Sequence, residues 1–355
     1  MSRPRLLLVG YYPLTPADRA PAIRIAAMAE SLARMTELTA IIGTRAERAR
    51  RYGAVAARLA DFDGVYVESA TSMMTGSDWN FLRAVRRAGL PLGIYVRDYY
   101  QRFPDLYPPK NPKERLMALG YHLTLREFRR LATVLFAQTE AFGAIVSPAP
   151  VTTLPPAGRV LTPPAGLARI PHRVIYAGAN GPQDGVDVAV AAMGEVVREA
   201  ADAELILVLR PSEQPGRVPA YCRVVTASGP TLEPWLWSSA VGLVPRRHTR
   251  YFRLILPVKI FDYMAHGLAL VVTQDSESAR FVESRGIGLG APDTARGFAD
   301  AILRLFKNPA LRQAMGDRAL ALVRQSHHWD ARAHEVLRAL GLESGPGGYV
   351  PETGC

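Results

Sequence analysis

Leu256-Pro-Val-Lys-Ile-Phe-Asp-Tyr-Met-Ala-His-Gly-Leu-Ala-Leu-Val-Val-Thr273 is the stretch on which the reading of this chain turns. Pro257 suits the first turn of a helix, and Val258, Phe261, Met264 and Ala265 recur at helical spacing. Gly267 can then end the helix in the left-handed conformation that a Cβ disfavours, and residues 268–273 read as a short buried strand. Lys259 and Asp262 are neighbours on one face near the helix start, where free backbone N–H groups and the macrodipole favour an anion. A phosphate suits that place.

Upstream of this block the pattern alternates strand and helix. Residues 173–176 form a strand, Ala177-Gly-Ala-Asn-Gly-Pro-Gln-Asp-Gly185 a turn-rich loop, and residues 186–200 a helix. Strands follow at 204–209, 223–226 and 241–244, with a brief helix at 232–239 and the basic loop Pro245-Arg-Arg-His-Thr-Arg250 leading into the block. Downstream lie helices at 279–284, 295–306, 311–325 and 329–340. Residues 343–355 are rich in Gly and Pro and are expected to be disordered.

The N-terminal half has the same grammar. Strands at 5–9, 38–42, 64–68, 92–98 and 133–137 alternate with helices at 22–35, 79–88 and 113–131, which predicts a parallel sheet covered by helices. The first loop, Gly10-Tyr-Tyr-Pro-Leu-Thr-Pro16, lacks the G-x-G-x-x-G fingerprint, so a dehydrogenase-type NAD site is not indicated. Arg19 and Arg24 flank the first helix start and read either as solvated arginines or as groups facing a ligand at the carboxyl end of the strand. Asp98 closes a strand at the same edge and reads either as a loop cap or as a ligand-facing carboxylate.

The 355 residues, 48% of them hydrophobic, are enough for two domains, each with its own core. We place them at 1–150 and 173–342, joined by a Pro-rich linker at 151–172, with the last helix able to pack back on the first domain. The two cysteines, Cys222 and Cys355, exclude a disulfide framework and a local cysteine metal clip. The apolar run of the N-terminus is too short for a signal peptide, and no stretch approaches the about 18 consecutive apolar residues of a membrane span, so a cytoplasmic location is expected. A net charge of +11, almost all from arginine, favours a polyanionic partner or reflects arginine-rich composition alone. No nucleic-acid-binding motif accompanies it, and the basic residues are scattered, so no nucleic acid is expected. The helix at 113–131 carries Arg115, Arg126, Arg129 and Arg130 beside Leu116, Leu119 and Leu123. It reads either as a core-packed helix with a charged outer face or as an interfacial helix on an anionic membrane.

Two Rossmann-like halves, a Pro-rich linker and the block at 256–267 together resemble the GT-B glycosyltransferases, in particular the family 4-like group 1 enzymes. The resemblance extends to about residue 340 and is most specific in Leu256-Pro-Val-Lys-Ile-Phe-Asp-Tyr-Met-Ala-His-Gly267, which is similar to the group's P-x-K-[LIM]-[FL]-E-Y-[ML]-A-x-G pattern. Ala177-Gly-Ala-Asn180 with Gly185-Val-Asp187, and Gly288-Leu-Gly290, support it. It implies an α/β GT-B fold of two Rossmann-like parallel-sheet domains facing a central cleft, acceptor in the N-terminal half and nucleotide sugar in the C-terminal half. It further implies a transferase acting on a glycan, lipid-linked or small-molecule hydroxyl without a metal cofactor, by retaining transfer or, with a general base in the N-terminal half, by inverting transfer. Asp262 matches the second acid of the group's E-x7-E motif, a ribose ligand, Lys259 with the neighbouring amides falls at the diphosphate, and Gly178 and Asn180 are further donor-binding candidates. Asp98 is the candidate for general base or acceptor positioning.

The sequence also departs from the pattern. Leu254 stands where the first acid of E-x7-E falls, and the first donor loop lacks the Arg and Lys usual there. Arg210, Arg246, Arg247 and Arg250 are the candidates to restore that charge, and Arg24 is a further donor-side candidate. The same departures leave open an alternative, a GT-B-shaped nucleotide-binding or regulatory protein without transfer.

Overall fold

Apolar runs too short for helices, bounded by turn residues, become parallel strands buried on both faces. The computed structural model describes residues 2–15, 20–74 and 76–343, and the chain divides into two compact units, Met1–Pro156 with Trp329–Cys355, and Ala157–His328. Arg19 and all of the expected disordered tail except Glu343 lie outside the described residues.

Unit 1 comprises β1 (Arg5–Gly10), α1 (Ala20–Met35), β2 (Glu37–Ile42), α2 (Arg45–Ala56), β3 (Gly64–Glu68), α3 (Gly76–Arg87), β4 (Leu92–Tyr95), α4 (Pro112–Leu131), β5 (Val134–Ala137), α5 (Glu140–Val146), β6 (Thr152–Thr153) and the returning α12 (Trp329–Ala339). Its strands are all parallel in the order β2-β1-β3-β4-β5-β6, with Leu6 opposite Leu38 on one side and Gly64 on the other. The order reverses between β1 and β3, so the crevice at their carboxyl ends is where a ligand of such a sheet sits. α12 packs against α1, and Trp329 is buried there.

Unit 2 comprises β7 (Arg173–Ala177), α6 (Val186–Val196), β8 (Glu204–Val208), β9 (Cys222–Val225), α7 (Glu233–Ser238), β10 (Val241–Val244), α8 (Val258–Ala265), β11 (Ala269–Thr273), α9 (Glu277–Ser284), β12 (Gly288–Ala291), α10 (Ala295–Lys307) and α11 (Pro309–Gln325). The parallel order is β12-β11-β10-β7-β8-β9, with Val241 between Ala269 and Val174, and its switch point falls between β7 and β10. One core layer joins α6 and α10 to the sheet, and the other joins it to α8 and α9 through Ile260, Phe261, Tyr263 and Met264.

Four details differ from the sequence reading. The strand expected at 92–98 stops at Tyr95, and Asp98 follows it in the connection to α4. α2 was not anticipated because its outer positions are densely charged, although Thr44 and Glu47 form the capping box that announces it. Within the Pro-rich stretch, Thr152 and Thr153 add a short edge strand to β5. Pro257 is the residue before α8 rather than its first turn, while Gly267 has the expected left-handed backbone, φ +64°.

Candidate functional site

The switch point of unit 2 brings three loops together. β7 delivers Ala177 and Gly178, β10 delivers Pro245 and Arg246, and α8 points its first turn at the same place. α8 can lie this close because Gly242 of β10 has no side chain, and an added Cβ there would sit 2.6 Å from the Tyr263 ring. The Tyr263 hydroxyl then accepts the Ala177 N–H at 2.9 Å, tying α8 to the end of β7.

Lys259 is the central group. Its Nζ lies 3.9 Å from the Tyr176 ring centroid, is buried, and has no hydrogen-bond partner. Burial, with repulsion from Arg246, pulls its pKa down to about 7 despite the attraction of Asp184 and Asp262. Gly178, at φ +155°, leaves it room, since a Cβ at that residue would stand 2.4 Å from Nζ. A buried amino group at the first turn of α8, with no hydrogen-bond partner of its own, suits an anionic ligand.

Asp262, one turn along α8, is half-buried. Burial raises its carboxyl to about 6, against the opposing pull of Arg159 and Lys259. Its carbonyl oxygen is paired with His266 Nδ1 at 2.7 Å, and burial lowers the His266 imidazole to about 4, so that histidine is neutral and belongs to the core against Trp237.

Of the arginines proposed to restore the missing charge, Arg246 reaches the site. It stands 3.7 Å from Asp184, lies over the Phe252 ring at 4.4 Å, and has a buried, unpartnered Nε. Arg247 is engaged by Asp187 and Asp293. Arg210 pairs with Glu213 at 3.3 Å and is 41% exposed, at the margin. Asn180 is held in the same margin, its N–H and its amide both bonded to Glu213. Leu254 ends a 3-10 turn at residues 252–254, half-buried, and offers no polar atom from its side chain.

Two predicted residues belong to unit 1. Arg24 is 1% exposed, bonds Glu68 at 2.8 Å and lies over the Tyr95 ring at 3.6 Å. Burial works against its charge and Glu68 more than offsets this, so Arg24 is held charged above its usual range. It is a buried ion-pair residue of unit 1, contacting Trp329 of α12. Asp98 is half-buried just beyond β4, its carbonyl accepting the Tyr121 hydroxyl at 2.8 Å. Sequence reasoning missed Asp184 and Tyr176, which line Lys259's surroundings; the aromatic at the end of β7 and the acid before Gly185 were the available signals.

Residues 171–308 match the model of the family described as Glycosyl transferases group 1. The match covers 138 of the 355 residues and lies within unit 2. The resemblance drawn from the sequence therefore holds, and the protein is an enzyme, a glycosyltransferase. Among curated proteins no match is found. Similar solved structures include the sucrose-phosphate synthase of Thermosynechococcus elongatus, 15% identical with a TM-score of 0.71 over 95% of this chain and 98% of that one. WaaG, a glycosyltransferase of lipopolysaccharide biosynthesis, is 14% identical with a TM-score of 0.63 over 97% and 100%. The Anabaena protein HepE, solved with UDP-glucose, is 11% identical with a TM-score of 0.67 over 95% and 99%. These likenesses establish the GT-B fold of this glycosyltransferase.

Proposed function

We propose that the enzyme moves a sugar from a nucleotide-diphosphate sugar bound at the switch point of unit 2 to an acceptor hydroxyl bound by unit 1, in the cytoplasm. The observation that carries this is the buried, unpartnered Lys259 Nζ at the first turn of α8. In this reading Lys259 and Arg246 neutralise the diphosphate, the backbone around Gly178 approaches it closely, and Asp262 accepts hydrogen bonds from the ribose hydroxyls. Arg210 and Asn180 border the nucleotide. Arg24 is left out, because its charge is already paired with the buried Glu68.

Transfer then needs no protein nucleophile. The bond from the anomeric carbon to the diphosphate oxygen breaks, the acceptor oxygen bonds to that carbon on the same face, and the acceptor proton passes to the departing diphosphate. Configuration is retained. Asp98 positions the acceptor, a glycan, lipid-linked or small-molecule hydroxyl. Because side chains meet the diphosphate charge, this reading assigns no metal cofactor.

Titration calorimetry against UDP, GDP, dTDP and ADP tests the reading. UDP comes first because HepE, of the same fold, is solved with UDP-glucose. Binding of one nucleotide that weakens at least tenfold in Lys259→Ala is expected. Absence of binding to all four, or equal affinity in the variant, refutes it. Leu254 favours a second reading, a nucleotide-binding regulator without transfer, and multiple-turnover release of nucleoside diphosphate from a nucleotide sugar in the presence of acceptor removes it.

A further inference from the structure

We propose that the outer face of α4 is a docking surface for an anionic lipid bilayer. The inward face of this helix is spoken for, with Gly120, Tyr121, Thr124, Leu125 and Phe128 buried against unit 1. Its outward face carries Leu116, Leu119 and Leu123, exposed by 64%, 64% and 61%, at the spacing that aligns side chains along one side of a helix. They are the most exposed large apolar side chains among the described residues. Single exposed leucines need no explanation, but an aligned row on one helix marks a surface that meets something apolar.

Charge identifies what that is. Arg115 and Arg126 project on the same side, exposed and without an acidic partner among the described residues, and exposed Lys110 and Lys113 stand at the helix start. Arg130 pairs with Glu127 at 3.1 Å. The two acids of the helix are engaged elsewhere: Glu114 caps its start through the Lys110 N–H and Asn111, and Glu127 is shared by Arg83 and Arg130. The face is thus apolar at its centre and cationic around it, the arrangement that lets leucines enter the acyl boundary while arginines meet lipid phosphates. A second copy of the chain fits poorly, because a two-fold contact would set Arg115 and Arg126 against like charges. The inference does not depend on the donor site, since α4 belongs to unit 1.

Cosedimentation of the full chain with vesicles of phosphatidylcholine, and with vesicles containing roughly one-third phosphatidylglycerol, tests it. Partitioning at least about tenfold stronger onto the anionic vesicles, weakening several-fold as salt is raised, is expected. Leu119→Glu should lower it by about tenfold or more and Arg115→Gln by about fivefold, with melting temperature and nucleotide affinity unchanged because both side chains are exposed on the outer face of α4. Equal partitioning onto neutral vesicles, no pelleting, or Leu116→Ser/Leu119→Ser/Leu123→Ser binding like wild type overturns the proposal. So does sedimentation equilibrium showing a dimer that these substitutions dissolve, which would make the face a contact between copies.

Discussion

The carboxyl edges of the two sheets hold the same kind of group in opposite states. In unit 1, Arg24 and Arg97 both reach one fully buried carboxylate, Glu68, at 2.8 and 3.3 Å. In unit 2, Lys259 forms no ion pair among the described residues, and its Nζ is buried against the Tyr176 ring with no hydrogen-bond partner. The fold brings cations to the switch point in both cases, so position alone does not make an anion site. What distinguishes the proposed donor site is that its cation has no hydrogen-bond partner of its own, a cost to stability that a bound diphosphate would offset.

The largest expected effect comes from undoing the compensated edge. Glu68→Ala strands Arg24 as a buried charge, and breaking a buried pair from one side costs about 3–5 kcal/mol. Denaturant unfolding should show a loss of that size, with nucleotide affinity retained at temperatures where the variant is folded. A loss below about 1 kcal/mol would mean that solvent or another group compensates Arg24, and the contrast between the edges would fall.

Lys259→Met should act with the opposite sign on stability. Below pH 7 the wild type must keep an ammonium in a buried site, a penalty that is full below the folded-state value of about 7 and fades as pH rises toward the unfolded value near 10.4. Methionine removes it at similar length. At pH 6 the ligand-free variant should melt roughly 2–5 °C above wild type by scanning calorimetry, while nucleoside-diphosphate affinity falls about a hundredfold. A variant that melts lower than wild type would show that Lys259 has a stabilising partner after all.

Much of this contrast was legible before the structure, and its limits have physical causes. The strand–helix alternation and the block at 256–267 predicted both sheets because local periodicity and the glycine at 267 determine those elements from within. The lysine and aspartate of α8 were legible for the same reason. The choice of Arg246 over Arg247 was not, because it depends on Asp187 and Asp293 claiming Arg247 from distant elements. The Arg24–Glu68 pair was not legible because Glu68 lies 44 residues away on another strand, a distance across which pattern carries no information. The leucine row of α4 was visible as composition, but only its burial pattern separates it from an ordinary core helix.

A smaller effect, and the one that resolves Lys259 from Asp262, is the pH profile of nucleotide binding. In the ligand-free protein Lys259 titrates at about 7. A diphosphate beside it raises that value, so affinity is full below about 7 and falls as pH rises above it, by up to about tenfold per pH unit until the bound-state value is passed. Asp262 titrates at about 6, raised by burial, and accepts from ribose hydroxyls with both oxygens only when ionised. Affinity should therefore also fall as pH drops below about 6, by less, because a neutral carboxyl keeps part of its hydrogen bonding. The maximum lies between the two values. Lys259→Met should flatten the alkaline limb alone, and Asp262→Asn the acid limb alone, in calorimetric titrations corrected for buffer protonation. If a single substitution flattened both limbs, the two groups would titrate as one coupled pair, and separate roles for diphosphate and ribose would have to be given up.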